Sequence, residues 1–276
     1  MIMRHITCAV VFLLGLTTPL WAVECKDLDS KAKIQQFLTK AMDSNPLLRA
    51  KVSAKFEVSP CEGKACKSKK LRKSFAETIH LVRSGKNARL YFVKGDHAPG
   101  CLVRRGQRRF LCSSCRSGSN ESCRSFTASD SSTWPGTNID TSDFNLLKKD
   151  ISSAKCQPLK NKQGFLMIES LRSAKPYDRI LSYYDKQKEV PITVNFFNNG
   201  ILRKVYRFFP KYYVKVKGQW FSTVMRVRTT KGREKAYLFE TLLHIPRSKG
   251  RPQLYLNPKK DPALRTVSLD SLFATN

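Results

Sequence analysis

"ILSYYDKQKEVPITVNFFNNGILRKVYRFF", residues 180–209, decides the fold. Apolar and polar residues alternate on both sides of "DKQKEV" and again on both sides of "FNNG". A period of two is the mark of a half-buried strand. Asn199-Gly200 is the dipeptide that tight hairpin turns favour. Strands therefore follow one another here, joined by short turns.

The pattern continues in both directions. Downstream, "YYVKVKGQWFSTVMRVRTTKGREKAYLFETLLHI" (212–245) predicts three strands, broken at Lys217-Gly218 and at "TTKGRE". Upstream, "QGFLMIESLR" predicts another. In the first half, Val52, Ala54, Phe56 and Val58 alternate along one strand, and "FAETIHLVRSG" and "NARLYFVKGD" read as two more. Turn signals recur every ~8–12 residues, the spacing of an all-β sandwich or barrel.

Two segments read as helices. Residues 27–44 place Ile34, Phe37, Leu38, Ala41 and Met42 on one face, with Asp27 or Asp29 as the cap. "TSDFNLLKKDIS" (141–152) is a shorter helix capped by Thr141 or Ser142, with Phe144, Leu147 and Ile151 inward. Residues 113–138 are rich in Ser and Gly and read as a long polar loop. No long linker divides the chain. The expectation is a signal segment over 1–22 and one domain over 23–276, built on a large antiparallel sheet, with a cysteine-rich loop at about 99–125.

Residues 1–22, "MIMRHITCAVVFLLGLTTPLWA", have the layout of a secretory signal peptide. Arg4 opens it, an apolar run follows, Pro19 breaks the run, and Ala22 is a small residue at a cleavage point. The alternative is an uncleaved membrane anchor. Glu24 before Cys25 does not suit a lipidation signal. The mature chain then begins near Val23 in an oxidising space.

Of nine cysteines, Cys8 falls in that segment and eight remain. An even number in an exported chain favours disulfides, out of about 105 connectivities. "CLVRRGQRRFLC" folds about Gly106-Gln107, which sets Cys101 opposite Cys112 and Val103 opposite Phe110. Either a II′ turn with Gly first or a four-residue loop has that centre. The longer loop would make the cysteines a non-hydrogen-bonded pair, where α-carbons come closest. Cys61 and Cys66 flank a short turn, Cys115 and Cys123 close the polar loop, and Cys25 and Cys156 are left for each other. Zinc would need a second ligand pair beside "CSSC", and a redox site would need a helix start there. Neither is present in the sequence, and no metal or cofactor is expected.

The chain carries 51 Lys+Arg against 21 Asp+Glu, a net charge of +30. Such a surface attracts polyanions: nucleic acid, anionic head groups or acidic glycans. Export argues against intracellular nucleic acid, and a merely solvated basic surface is the plain reading. His80, His97 and His244 lie in no hydrolase or metalloprotease motif, and no phosphate-binding loop is present. His80 and His244 read as strand positions, and the acidic residues Asp140, Asp143 and Asp150 as caps and surface charges. No set of groups assembles into a catalytic site, so an enzyme is not expected.

The order of elements resembles the LolA-like outer-membrane lipoprotein-sorting family. The likeness rests on "PGTNIDTSDFNLL" (135–147), on "SYYDKQKEVPITVNFFNNGILRKVYRF", on "GQWFSTVMRVRTTKGREKAYLFETL" and on the terminal "SLDSLFA". It spans most of residues 27–276 as a pattern of elements. Two departures stand out: Ser222-Thr223 where the family often has Pro, and the cysteine-rich loop.

The resemblance implies a mainly β fold, an unclosed and curved antiparallel half-barrel with helices over its concave face. It implies a periplasmic carrier or binding protein that holds the acyl chains of lipoproteins or lipids in an apolar cavity. Alternation then nominates the lining: Ile192, Val194 and Phe196; Phe221, Met225 and Val227; Tyr237, Phe239 and Leu243, with Ile245 beside them. The same residues could equally form a filled core. Expected partners are lipoprotein acyl chains or lipid, with a membrane protein of the envelope as a further partner. No nucleic acid and a monomeric state are expected. Two other functions stay open: a noncatalytic envelope sensor or interaction module on the same half-barrel, and a polyanion-binding envelope protein that relies on the basic surface alone.

Overall fold

A computed structural model of the chain describes residues 22–49, 51–62, 77–94, 100–106, 108–113, 123–126, 137–140, 143, 151–159, 162–173, 176–230, 237–264 and 268. The expected signal segment over 1–22, except Ala22, lies outside the described residues, as do Cys66, Cys115 and the terminal "SLDSLFA" except Ser268.

Six strands come first: β1 (Lys51–Glu62), β2 (Glu77–Ser84), β3 (Asn87–Lys94), β4 (Cys101–Arg105), β5 (Arg108–Cys112) and β6 (Cys123–Phe126). A second run supplies β7 (Ile151–Pro158), β8 (Phe165–Arg172), β9 (Arg179–Asp185), β10 (Val190–Asn198) and β11 (Ile201–Phe208). Then come β12 (Tyr213–Val216), β13 (Gln219–Ser222), β14 (Val224–Thr230) and β15 (Tyr237–His244), followed by the two-residue strands β16 (Arg247–Ser248), β17 (Arg251–Pro252) and β18 (Leu254–Tyr255).

Among the described residues, one antiparallel sheet of 14 strands runs β6-β5-β4-β3-β2-β1-β15-β14-β11-β10-β9-β8-β7, with β18 beside β1. Strands β6 and β7 end the path and do not pair with each other, so the sheet is not closed into a barrel. Pairs β12–β13 and β16–β17 stand apart from it.

Successive side chains along a strand point to opposite faces. One face carries a continuous core from Val52, Ala54 and Phe56 on β1 through Leu166 and Ile168 on β8. We call this the inner face. Helix α1 (Lys31–Met42) covers it, laying the predicted Ile34, Phe37, Leu38, Ala41 and Met42 into that core against β7 and β10. Its cap is Ser30, whose Oγ accepts from Lys33 N at 3.3 Å, and not Asp27 or Asp29. Asp29 instead pairs with Lys33 one turn on, at 2.9 Å.

Three predicted elements are corrected. Residues 212–245 form four strands because the chain breaks at Thr223, whose N–H and Oγ1 both donate to Tyr212 O. Ile151 is buried as predicted, but as the first residue of β7 and not as part of a helix. The predicted polar loop contains β6, which pairs with β5. The described Asp143 is helical, and residues 144–150 of the predicted second helix lie outside the description.

The disulfides are corrected in part. Cys25–Cys156 is formed as expected and ties the N-terminal segment to the edge strand β7. Cys101 does lie opposite Cys112, and Val103 opposite Phe110, yet Cys112 bonds Cys123. That pairing displaces both Cys101–Cys112 and Cys115–Cys123.

The turn explains the choice. Arg105 pairs with Arg108, so the loop has two residues, with Gly106 at φ +62°. Counting back from that hydrogen-bonded closing pair makes Cys101/Cys112 hydrogen-bonded too, the wider kind of pair. A residue between two strands turns both backbone groups to one side, so Cys112/Cys123 is the narrow kind. Its α-carbons are 4.1 Å apart. Cys61 and Cys101 are disulfide-bonded as well, and the proposed partner of Cys61, Cys66, lies outside the described residues.

Candidate ligand-binding face

The inner face is built in lateral rows. Ser182, Val194, Tyr206, Val227 and Thr241 stand side by side across five strands, and Phe208, Met225, Leu243 and Val58 across four. Of the nine residues nominated for a cavity, Val194, Phe196, Phe221, Met225, Val227 and Leu243 meet in this one buried cluster, as does Ile245. Phe37 of α1 packs edge-on to Tyr184 at 5.1 Å, and Phe196 lies between Tyr177 (4.8 Å) and Tyr206 (5.7 Å). Among the described residues, these side chains pack against one another beneath α1.

Phe239 is half-buried on β15, and its carbonyl accepts a hydrogen bond from Asn138. Tyr237 opens β15, and its side chain lies outside the description.

Ile192 is placed differently from the prediction. A register shift between Pro191 and Thr193 inserts it as an extra residue in β10. It lines a cleft of about 580 Å³ on the outer face, with Leu159, Lys162, Phe165, Tyr183, Thr193 and Arg207. A bulge re-aims one side chain without changing the apparent alternation, which is why Val194 and Phe196 remain inside while Ile192 does not join them.

Residues 137–140 and Asp143 are fastened to the inner face through polar contacts the sequence reading missed. Asn138 Nδ2 donates to Val227 O (3.3 Å) and Phe239 O (3.1 Å), and Asn138 N–H donates to Thr241 Oγ1 (3.4 Å). Tyr206 Oη donates to Asp143 Oδ2 at 2.5 Å and accepts from Asp140 N–H at 3.2 Å. Lys204 Nζ sits 2.6 Å from the same Asp143 oxygen. Asp143, read as a cap or surface charge, is thus a buried ion-pair partner.

Burial raises the Asp143 pKa, against the pull of Lys204 and Tyr206. Burial and the Asp143 charge together hold Tyr206 well above the usual phenol value. The available signal was Lys204 itself, a cation at the apolar parity of "LRKVYRF". At the other end of the inner face, burial and the like charge of Arg104 lower the Arg83 guanidinium to about 10.

On the outer face, Ser53, His80 and Asp261 form a polar cluster. Ser53 Oγ donates to Asp261 Oδ2, and His80 Nε2 lies 2.8 Å from Ser53 Oγ and 2.9 Å from Asp261 Oδ2. Both partners meet the same ring nitrogen. A hydrolase relay needs the carboxylate on one nitrogen and the hydroxyl on the other, so this cluster fastens the 258–264 segment onto β1 and β2 and is no nucleophile–base pair. His80 is therefore a clasp as well as a strand position.

Comparison by shape places this architecture. The chain is similar to a domain from Vibrio parahaemolyticus described as an outer membrane lipoprotein-sorting protein, at 13% identity and a TM-score of 0.56, over 88% of this chain and 99% of that one. It is similar to a LolA superfamily protein from Nitrosomonas europaea at 12% identity and a TM-score of 0.50, over 76% and 90%. A DUF1329 family protein from Desulfovibrio piger gives 14% identity and a TM-score of 0.52, over 76% and 90%. The fold is LolA-like. No protein-family model and no curated protein matches the sequence.

Proposed function

We propose that the protein is an exported, periplasmic carrier or binding protein for lipids or lipoproteins, taking acyl chains between the inner face and its cover. The observation that carries this reading is the inner face itself. It carries a continuous apolar core from β1 to β8, and among the described residues the twelve-residue helix α1 and short polar-pinned segments lie over it. An open sheet covered in this way can exchange contacts with the cover for contacts with an acyl chain. The ligand gains roughly 0.8 kcal/mol per buried methylene, less the freedom lost on binding. Exposed ion pairs contribute about 0–1 kcal/mol each, so acyl length should outweigh salt.

Where α1 and residues 137–140 pack on the face, uptake beneath them requires them to move. Disulfides fit an oxidising compartment. The LolA-like fold supports the same reading, and it favours a noncatalytic role within one domain over 23–276. Arg83 and Arg104 would hold an anionic head group at the rim, since an anion there relieves their mutual repulsion.

Two measurements test the proposal. Organic extracts of the purified native protein should contain a stoichiometric lipid by mass spectrometry. A fluorescent fatty acid should bind saturably and be displaced better by longer chains. No extractable lipid together with no saturable binding would sink it.

A further inference from the structure

Between Glu189 and Glu234 the chain has ten Lys and Arg and no Asp or Glu over residues 190–233. The fold gathers part of this stretch at one end of the sheet, around the β12–β13 hairpin. There the cations lie over aromatic rings. Lys188 and Lys215 approach the Trp220 ring from 5.0 and 5.9 Å, and Lys211 approaches Tyr212 at 4.9 Å. Arg207 and Arg226 both stack on Phe209, at 5.4 and 5.3 Å, and Phe209 meets Tyr212 at 6.1 Å.

The hairpin is anchored on both of its faces. Tyr213 and Phe221 are buried, Tyr213 Oη donates to Pro191 O at 2.5 Å, and Ser222 N–H donates to Ser44 O at 3.2 Å. Around it stand Tyr212, 38% exposed, and the exposed Lys211, Lys215 and Lys217. Arg207 continues this surface into the outer cleft of about 580 Å³, where Leu159, Phe165, Tyr183 and Ile192 supply apolar walls and Lys162 a second cation.

We infer that this end of the molecule docks on the surface of an anionic phospholipid bilayer. Rings with one apolar body and one polar tip settle at the head-group level, and lysines beside them meet lipid phosphates. The cleft gives the surface depth for part of a lipid. A soluble polyanion would use the cations but has no need of the rings or the cleft, so a bilayer fits better. The inference stands apart from acyl carriage, because docking requires no opening of the inner face.

The test is flotation of the purified protein with vesicles of phosphatidylcholine alone or with phosphatidylglycerol added. Binding should appear only with phosphatidylglycerol and weaken as salt rises. Replacing Lys188, Lys211 and Lys215 by Glu should lower the bound fraction at least 10-fold. The same charge change at Lys31, Lys259 and Lys260 should lower it less than 3-fold.

Tyr212→Ala with Trp220→Ala should weaken vesicle binding at least 5-fold while circular dichroism stays unchanged. Equal binding to both vesicle types overturns the inference. So does vesicle binding that survives loss of the two rings and is competed away by heparin, which would mark a site for soluble polyanions. Acyl-probe binding in vesicle-free solution should be the same in all these variants, so this result and the carrier reading fail separately.

Discussion

Lys204 Nζ and Asp143 Oδ2 are 2.6 Å apart, with side chains only 7% and 4% exposed. The pair joins the floor of the inner face to the segment above it. A buried charge is tolerated only with its partner. Lys204→Met should therefore cost about 3–5 kcal/mol in denaturant unfolding at neutral pH, and Asp143→Asn added to it should recover much of that loss. The sign with pH follows from burial, which raises the Asp143 pKa. A carboxyl whose folded-state value is raised favours folding below its unfolded value, and that support is lost as pH rises through the folded one. The single variant should thus lie closest to wild type in mild acid. A constant difference from pH 4 to 8 would refute the pairing.

The Asp261 clasp has the opposite sign. Burial pushes its pKa up, but hydrogen bonds from His80, Ser53 and Ala263 N–H outweigh that, and the folded value is lowered. The stability it contributes is present above the unfolded value of about 3.9 and is lost as pH falls through the lower folded one. Asp261→Asn should cost about 1–3 kcal/mol at pH 7. Its urea midpoint should also fall less steeply than wild type as pH drops below about 4. Parallel midpoint curves would count against the clasp.

Non-reducing peptide mapping should recover Cys112 with Cys123, and Cys25 with Cys156. A fragment joining Cys101 to Cys112 would reverse the turn argument. The Cys25–Cys156 bridge spans 131 residues of sequence. Replacing both by Ser should lower stability by about 2–5 kcal/mol.

What was legible in the sequence follows the range over which each feature is decided. Alternation exposed the strands because one face is buried along nearly the whole sheet. Asn199-Gly200 revealed its turn, and both residues have positive φ, +51° and +71°. The register of 101–112 was legible from Gly106 alone. The bond from Cys112 was not, because β6 arrives from beyond the loop and decides which neighbour is near. Ile192 was misplaced since a bulge leaves the alternation intact in the text. Lys204 kept the parity of a core residue, and only Asp143, 61 positions earlier, makes that bearable. The Ser53–His80–Asp261 clasp was equally hidden, since Ser53 and Asp261 stand 208 residues apart.

Asn138 offers the sharpest test of how the inner face opens. It joins the cover to β14 and β15 through two carbonyls, Val227 O and Phe239 O, and through Thr241 Oγ1. It contributes no apolar surface to the core, so its loss weakens the closure without remodelling the face beneath. Asn138→Ala removes the two amide hydrogen bonds but keeps the backbone contact to Thr241. The buried carbonyls are left without the amide, at a cost of about 1–3 kcal/mol. That cost falls on the closed state alone, since in the open state water reaches the same groups. The closed-to-open equilibrium should therefore shift by roughly 5- to 150-fold, the factor corresponding to that free energy. If acyl chains enter beneath this segment, uptake of a fluorescent fatty acid in stopped flow should accelerate, and apparent affinity should rise because less closure must be undone. Hydrogen exchange of the amides at Asn138 and Ile139 should quicken in parallel. Faster exchange with unchanged uptake would place the route elsewhere, under α1, and unchanged exchange would show that Asn138 is not what holds the cover.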